Sequence, residues 1–444
     1  MSTSLIATIV FLLSYAAIAT EKINRTVVAF IGALLLLLFK VFTLDKAISY
    51  VSWETMGLLL GMFIIVGALS EAGFFTYLAL VTAKMLKYSP SRIFIVFPII
   101  TGLLSGFMDS ITVMLFFATL TFELCKMLKI EATPLIITEV IMANIGGSMT
   151  LVGDPPNVIL GLKLGFYFND FVIHNGPIAI IAVAVTLFYC YMVNRKSLVP
   201  KEAIDKEELK KINPNDEIKD LKQLKVALVA FGVAIIFLIT HTYIEKLTGI
   251  PLTVPLAALV PAFVMLVVLG VEKSMVVITK VDYEVLLFFI GLFIIVGGLE
   301  QTGVIKNIAA YITNIFNGNH VGLFSTLLWG SGFASGIIDN VPFALSMSYV
   351  LQDIVKFAGV PALSIMLWAT SLGTDICGNF TPIGASANVV AYTSMEKKGL
   401  HIGWGRWLKL AVPATFISLI ICNLGLYIKY IIHFYLKLKN NWAF

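Results

Sequence analysis

Long apolar runs follow one another along most of the chain, and short polar groups separate them. Many runs approach the roughly twenty residues that an α-helix needs to cross about 30 Å of hydrocarbon. This pattern predicts an all-α polytopic membrane protein with about 11–12 membrane segments, the first of them a retained span and not a signal peptide. The clearest runs cover residues 5–20, 26–43, 55–70, 177–194, 225–243, 251–270 and 285–299.

One hydrophilic stretch interrupts this pattern near the middle of the chain. Residues 195–225 hold nine basic and seven acidic side chains, a mixture typical of a solvated connection. The stretch divides the chain into halves of similar length, which favours an internal repeat. We predict a first transport repeat over 1–194, a cytoplasmic linker over 195–224 and a second transport repeat over 225–444.

The two halves share three sequence blocks in the same order. Residues 53–73 align without gaps on residues 283–303, with nine identities in 21 positions. At the same offset of 230 residues, "SGFMDSIT" falls on "SGIIDNVP" and pairs Asp109 with Asp339. One residue later in register, "ANIGGSMTLVGDPPNV" falls on "TDICGNFTPIGASANV". Three blocks in constant order indicate two duplicated halves of one fold.

The third block predicts a broken helix in each half. Pro155 and Pro156 lack backbone N–H donors and Gly153 lacks a side chain, so a continuous helix is disfavoured. Irregular backbone at membrane depth is tolerated when it lines a polar cavity, and paired broken helices are typical of secondary transporters. A proline kink that only shapes packing is the simpler alternative. The candidate binding residues here are Asn144, Thr150, Gly153, Asp154, Asn157, Asp375, Thr381, Gly384, Ser386 and Asn388.

The broken helices predict where a coupling cation binds. Side-chain amides and nearby carbonyl groups offer oxygen ligands without adding charge. Asn157 and Asn388 are therefore predicted to supply amide oxygens to two symmetry-related Na⁺ sites, helped by Thr150 and Thr381. No tightly bound metal and no cofactor is expected.

The second block predicts a re-entrant hairpin in each half. The apolar arms 93–107 and 111–122 are short for full crossings. Basic residues lie before the first arm and after the second, which places both ends of the pair on the same side of the membrane. Intramembrane carboxylates usually mark an ion or substrate path, although an aspartate can also cap the second arm. The candidate residues at the two tips are Asp109, Ser110, Thr112, Asp339 and Asn340. Glu139 is a candidate proton or ion relay, but it has no acidic counterpart at Thr370.

Composition excludes several classes of protein. The chain is 59% hydrophobic and 13% charged, against about a quarter charged in soluble domains. The net charge of +5 is better explained by membrane topology than by nucleic-acid binding. The four cysteines show no metal or disulfide spacing, and no GxxxxGK[ST] phosphate loop is present.

The motifs resemble those of the ion transporter superfamily. "NIGGSMTLVGDPPNVILG", "SGFMDSITVMLFF" and "GNFTPIGASANVVA" are similar to signatures of its arsenite permease and melanocyte P protein branch, which includes sodium/proton antiporters. The resemblance covers nearly the whole chain outside the linker. It implies inverted repeats, an elevator mechanism on a homodimeric scaffold, Na⁺ or H⁺ coupling, and a multi-pass position in the plasma membrane. A soluble ATPase partner would be implied for arsenite efflux.

The chain departs from its more distant relatives, the dicarboxylate and citrate sodium symporters. Their hairpin tips read Ser-Asn-Thr and their broken helix reads Gly-Thr-Pro-Pro-Asn. Here aspartates 109 and 339 begin the tips, and Asp154 replaces the threonine. The added acids favour cation or proton handling, or an uncharged substrate, and disfavour a dicarboxylate.

Orientation poses a conflict. The count of apolar segments between Gly61 and Gly291 suggests parallel halves, whereas the basic residues after the second broken helix favour inverted halves with that loop in the cytoplasm. We predict the inverted arrangement, with the segment 225–243 not crossing fully.

Three functions from different classes remain open. A secondary transporter explains the repeat, the broken helices and the hairpin acids together. A channel explains polar residues at depth but not two closed hairpins. An intramembrane aspartyl protease needs paired aspartates, yet no glycine-x-glycine-aspartate stretch surrounds either one. Arsenite, sodium against protons, an inorganic anion and a dicarboxylate all remain candidate substrates.

Overall fold

The computed structural model describes residues 2–19, 22–200, 212–316, 319–337, 339–358 and 363–441. Over these residues the secondary structure is helical, without strands. The predicted all-α class is therefore confirmed. Residues 201–211 of the linker, including Lys210, lie outside the described residues, and the predicted boundaries of the two halves remain a prediction.

The first half contains eleven helices within the described residues. Four of them begin after a residue whose side chain accepts a hydrogen bond from the first turn, namely Asn24, Thr43, Ser52 and Asp109. The helices are α1 (Thr3–Ala19), α2 (Arg25–Leu38), α3 (Leu44–Tyr50), α4 (Trp53–Glu71), α5 (Phe74–Met85), α6 (Pro90–Ser105), α7 (Ser110–Met127), α8 (Thr133–Gly147), α9 (Pro155–Leu164), α10 (Phe168–His174) and α11 (Gly176–Asn194).

The second half repeats this order with ten helices in the described residues, none of which matches α10. The short turns Arg195–Leu198 and Pro214–Glu217 flank the linker residues that lie outside the described part. The helices are α12 (Leu221–Thr248), α13 (Val254–Leu269), α14 (Val271–Thr279), α15 (Tyr283–Gln301), α16 (Val304–Phe316), α17 (His320–Ile337), α18 (Asn340–Ala358), α19 (Leu363–Cys377), α20 (Ser386–Lys397) and α21 (Trp404–Asn441).

Each half has a hairpin and a broken helix at the predicted places. The arms α6 and α7 are 16 and 18 residues long and meet at Asp109, and α17 and α18 are separated at the matching Asp339. Helix α8 ends at Gly147 and α9 begins at Pro155, so residues 148–154 form the first break. The second break lies between Cys377 and Ser386 and contains one short 3₁₀ turn.

The helix lengths resolve the conflict over orientation. Helix α12 is a continuous apolar helix of 28 residues, about 42 Å at 1.5 Å per residue, which is long enough to cross. If each hairpin returns to its own side, four crossings separate α4 from α15: the broken helix α8–α9, then α11, α12 and α13. An even number of intervening crossings makes α4 and α15 antiparallel, so the halves are inverted. Helix α12 extends beyond both ends of the 225–243 run, so its length gives no support to the expectation that this segment stops short of crossing.

The two halves pack against each other in reciprocal pairs. Helix α4 packs on α12 and α13, and α15 packs on α1 and α2. Gly61 lies so close to Ala258 that an added Cβ would be 2.7 Å from the Ala258 backbone, and Gly291 makes the matching approach to Ala29. We call these six helices the frame.

The two hairpins and the two broken helices form a second packing unit. Helix α7 packs on α20, and α18 packs on α9, so each hairpin contacts the broken helix of the other half. We call α6–α9 and α17–α20 the core unit. Side-chain contacts across the two halves therefore help to position several of its polar residues, including Asp154, Asn157 and Asn388.

Ion pairs place the basic loops on one face of the molecule. Lys398 lies 2.5 Å from Glu123, and Arg406 lies 2.8 Å from Glu131, so the loop after α20 contacts the base of the first hairpin. Lys219, at the end of the linker, lies 3.8 Å from Glu71 at the end of α4. By the positive-inside rule we expect this face to be cytoplasmic.

A cysteine placed at Lys397 should therefore be inaccessible from outside the cell. An impermeant thiol reagent should leave Lys397→Cys unlabelled in intact cells and modify it after permeabilisation. The background is favourable, because all four native cysteines are buried. Cysteine at exposed Asn307, on the opposite face by the same crossing count, is the positive control. Labelling of Lys397→Cys in intact cells would contradict the inverted arrangement.

Candidate functional site

The two hairpin tips meet at one buried carboxylate, Asp154. Ser110 Oγ, at the start of α7, donates a hydrogen bond of 2.9 Å to Asp154 Oδ1. Asn340 Nδ2, at the start of α18, donates one of 3.0 Å to Asp154 Oδ2. Since Asp154 is 4% exposed, both oxygens are shielded from water. Residues of the first hairpin, the first break and the second hairpin are thus joined through one side chain.

Local backbone geometry explains why Asp154 is free to make these contacts. It precedes Pro155 and adopts an extended conformation, with φ −143° and ψ 144°, as the residue before a proline favours. Its side chain does not cap α9. The following prolines occupy the first turn, where no intrahelical N–H bond is needed, so α9 begins without competing for the carboxylate.

Asp109 caps the second arm of the first hairpin. Its Oδ2 accepts hydrogen bonds from the Thr112 backbone N–H at 3.0 Å and from Thr112 Oγ1 at 3.1 Å. The buried Oδ1 has no hydrogen-bond partner among the described residues. The capping role weighed from the sequence is therefore present, and one oxygen is left for another ligand.

Asp339 occupies the matching position in the second hairpin but has an additional partner. Its Oδ1 accepts from the Val341 backbone N–H at 3.1 Å. Its Oδ2 lies 3.4 Å from Nη1 of Arg25, the first residue of α2. The same Nη1 donates a 2.8 Å hydrogen bond to Ser386 Oγ.

Asn157 and Asn388 fasten the two broken helices in the same way. Asn157 Nδ2 donates to the carbonyls of Gly147 at 3.0 Å and Thr150 at 3.1 Å. Asn388 Nδ2 donates to the carbonyls of residues 378 and 381 at 2.7 and 2.8 Å. Each amide thus satisfies carbonyl groups that the break leaves without helical partners.

The amide oxygens of this pair connect the two halves. Asn157 Oδ1 accepts a 2.6 Å bond from Ser371 Oγ, and Asn388 Oδ1 accepts a 2.9 Å bond from Asn144 Nδ2. Asn144 Nδ2 also donates to Asn379 Oδ1 at 2.8 Å. The oxygens predicted to bind Na⁺ therefore already accept protein hydrogen bonds, and a cation would share their second lone pairs.

The threonines and glycines that are identical in the repeat alignment also have structural roles. Thr150 Oγ1 donates to the Gly106 carbonyl, and Thr381 Oγ1 donates to the Gly336 carbonyl at 2.8 Å, so each threonine ties a break to its hairpin. A Cβ on Gly153 would lie 2.3 Å from the Gly147 carbonyl oxygen. On Gly384 it would lie 2.5 Å from the Gly378 carbonyl oxygen.

Two further acids are completely buried but differ in setting. Asp375 lies beside Asn157 and within electrostatic reach of Asp154, and neither of its oxygens meets the geometric criteria for a hydrogen bond among the described residues. Glu139 lies on α8, and its Oε1 accepts a 2.6 Å hydrogen bond from Thr121 Oγ1 on α7. Glu139 is not among the lining residues of the three cavities described below.

A polar cavity of about 300 Å³ reaches this region from the linker side. It lies between the starts of α2 and α15 in the frame and the tip of the second hairpin in the core unit. Lys273 and Lys280, near the start of α15, pair with Asp220 and Glu71, which fixes this end on the linker face. The lining residues include Asn24, Arg25, Asp282, Glu284, Asp339 and Ser386.

The cavity narrows to a space of about 10 Å³ beside Asp154 and the two tips. That volume is close to the minimum for one water molecule. Another cavity, of about 440 Å³, lies near the start of α4, at the opposite end of the frame. The site is thus nearly closed between two larger spaces, and no group of three or more His, Cys, Asp or Glu in the described residues is arranged to hold a metal ion.

Sequence reasoning missed Arg25, Ser371 and Asn379. Arg25 stands between two apolar runs, where a basic residue usually marks a membrane boundary. Ser371 and Asn379 are small or neutral polar residues that carry no charge signal. Asn379 matches Ser148 in the repeat alignment, so a search for polar residues at matching positions would have found it.

Replacing Gly153 with alanine should prevent normal assembly of the first break. The Cβ would overlap backbone oxygens of both Gly147 and Ser105, at 2.3 and 2.6 Å, and backbone cannot move as a flexible side chain can. We expect a large loss of monodisperse protein by size-exclusion chromatography. The control is Gly232→Ala in α12, where an added Cβ meets nothing within 4 Å. Equal yields of the two variants would contradict this account.

A family model described as CitMHS, citrate transporter, matches residues 15–373. The match covers most of the chain and includes both hairpins and the first broken helix. The chain belongs to this family. The predicted resemblance to a transporter family is thereby confirmed, and so is a multi-pass membrane protein with apolar spanning helices.

Relatives extend the CitMHS comparison. An uncharacterized transporter of Mycobacterium bovis is 34% identical over 441 residues, covering 97% of this chain and 99% of that protein. The 46 kDa membrane protein of Mycobacterium leprae is 34% identical over 439 residues, with the same coverage. The human P protein is 26% identical over 504 residues, covering 95% of this chain and 59% of P protein.

The fold also has a solved counterpart. The crystal structure of the Alcanivorax borkumensis YdaH transporter matches with a TM-score of 0.58 at 16% sequence identity. The match covers 96% of this chain and 98% of that one. At this identity the likeness concerns the fold, and it shows that this CitMHS chain shares the architecture described for YdaH.

Proposed function

We propose that this CitMHS protein is a secondary active transporter that moves a small inorganic or organic ion and is coupled to Na⁺ or H⁺. The observation that carries the proposal is the position of Asp154, buried between both hairpin tips and within electrostatic reach of Asp109, Asp339 and Asp375. Moving a carboxylate into a water-poor setting is costly unless a proton or cation joins it. Binding of a coupling ion here would relieve that cost.

We further propose an elevator mechanism. The frame and the core unit are separate packing units, and polar cavities lie at both ends of the boundary between them. Sliding of the core unit along the frame would expose the region of Asp154 first to one cavity and then to the other. A homodimer that anchors the frame in the plasma membrane accompanies this proposal, and a soluble ATPase partner remains a prediction tied to arsenite as the substrate.

Reconstituted protein tests the proposal. Uptake of citrate, arsenite, phosphate and labelled sodium into proteoliposomes should be measured with and without imposed sodium and proton gradients. We expect accumulation of one substrate against its own gradient when one of the ion gradients is present. Downhill flux that ignores both gradients would indicate a channel, and absence of flux for every substrate under every gradient would count against this substrate class.

A further inference from the structure

Arg25 occupies an unfavourable position for a basic residue. It is the first residue of α2, where the helix dipole carries partial positive charge and disfavours a cation. Its side chain is 29% exposed, and its guanidinium carbon lies 5.1 Å from the centre of the Phe288 ring in α15. The frame therefore holds the guanidinium of Arg25 in place. The contacts of Arg25 with the core unit offset the unfavourable position.

Those contacts lie on both parts of the second-half site. Nη1 donates to Ser386 Oγ, at the start of α20, at 2.8 Å, and lies 3.4 Å from Asp339 Oδ2 at the hairpin tip. Asp339 is 14% exposed in its side chain, so the pair is partly desolvated. A single guanidinium thus supplies positive charge at the carboxylate where the second half would otherwise bind a cation.

Asp109, the matching carboxylate of the first hairpin, forms no ion pair with a basic residue among the described residues. The close approaches of Gly61 to Ala258 and Gly291 to Ala29 set the register of the frame helices, and this register pairs Arg25 with Val254. Val254 is likewise the first residue of its helix, α13.

The partners of Arg25 differ in the same way between the halves. The repeat alignment pairs Ser386 with Pro155, which has no polar side chain, and Asp339 with Asp109. Asp109 keeps one buried oxygen without a hydrogen-bond partner among the described residues. The two matched carboxylates therefore differ in their compensating charge: among the described residues, a protein cation pairs only with Asp339.

We propose that Arg25 takes the place of a coupling cation in the second half, so that a mobile cation or proton is needed at the first-half carboxylate but not at Asp339. This proposal rests on the proposed function and adds a specific asymmetry to it. It predicts that removing the guanidinium creates a new requirement for a cation at Asp339. The charged and titratable groups that face Asp339 are Arg25, Tyr15, Asp154, Asp282 and Glu284.

The test compares ion-dependent stability of full-length protein in detergent, which needs no transport assay. Thermal unfolding of the parent and Arg25→Met should be followed over a sodium series at fixed pH, and over a pH series in choline without sodium. We expect Arg25→Met to gain stabilisation by sodium or by acidification beyond that of the parent. The sodium series and the pH series distinguish a metal cation from a proton.

Two further variants identify the carboxylate responsible. Asp339→Asn in the Arg25→Met background should abolish the added ion dependence, because the uncompensated charge is gone. Arg92→Met, which removes an exposed arginine of α6, should behave like the parent. Sodium and pH responses of Arg25→Met equal to those of the parent would overturn the proposal, as would an added response that survives in the double variant.

Poor folding of Arg25→Met would not leave the question open. If the uncompensated Asp339 charge is the cause, adding Asp339→Asn should restore the yield of folded protein. Failure of the double variant to recover would overturn the charge-replacement role. If the transport assay works, Arg25→Met should also show a sodium or proton Hill coefficient higher by one than the parent, whereas failure of all transport would bear on the proposed function alone.

Discussion

Replacing Asp154 with asparagine should lower transport by about 10- to 100-fold, since a hydrogen bond to a charged group is worth roughly 1.5–3 kcal/mol and about 1.4 kcal/mol is a factor of ten. The amide keeps the shape of the side chain but lacks the charge that would attract a coupling ion. It also presents a donor where Ser110 or Asn340 now donates. Initial uptake rates in proteoliposomes measure the effect.

Asp45→Asn is the matched control for this prediction. Asp45 lies exposed on the first turn of α3, so the same chemical change there should leave uptake near the parent rate. Equal thermal stability of the Asp154→Asn and parent proteins would show that the loss concerns ion handling. Undiminished uptake by Asp154→Asn at every sodium concentration and pH would remove Asp154 from the coupling mechanism.

Replacing Asn388 with alanine should destabilise the second broken helix strongly. The change removes two donated hydrogen bonds, to the carbonyls of Gly378 and Thr381, and one accepted from Asn144. Each buried group left without a partner costs roughly 1–3 kcal/mol, so the total loss is expected to be several kcal/mol. A lowered unfolding temperature in detergent is the measurement.

Asn307→Ala provides the comparison, because Asn307 is exposed on α16 and should tolerate the change. Asn157→Ala should reproduce the effect in the first half, where the same pattern of bonds occurs. If both buried variants unfold at the parent temperature but lose their ion dependence, then their main role is as cation ligands, as the sequence alone suggested.

The repeat made much of the fold predictable. Paired blocks located both hairpins and both breaks, because prolines, glycines and acids are rare within apolar runs and stand out when they recur at one offset. Asp154 drew attention as an acid within the first break, although the alignment pairs it with Ala385 in the second half. The length of α12 was harder to predict. Polar residues at both of its ends shorten the apparent apolar run, whereas the helix continues through them.

The direction of individual side chains was beyond prediction. The sequence placed Asn157 and Asn388 at the breaks, but only the fold shows that their nitrogens bind carbonyls and their oxygens face the opposite half. The role of Arg25 depends on a contact between residues more than 300 positions apart. Such contacts arise where the first residue of α2 reaches the hairpin tip in the folded chain, and no local pattern records them.

If the core unit slides along the frame as proposed, the polar contacts between them lie on the plane of sliding. Arg25 crosses it to Asp339, and Tyr15 crosses it by donating a 2.7 Å hydrogen bond to the Pro342 carbonyl. A hydrogen bond to a charged group contributes roughly 1.5–3 kcal/mol and a neutral one about 0.5–1.5 kcal/mol, so breaking these contacts adds a barrier of a few kcal/mol. Inside the core unit, by contrast, buried bonds join the two halves at several points. Sliding the core unit along the frame therefore breaks fewer polar contacts than separating the two halves inside the core unit would.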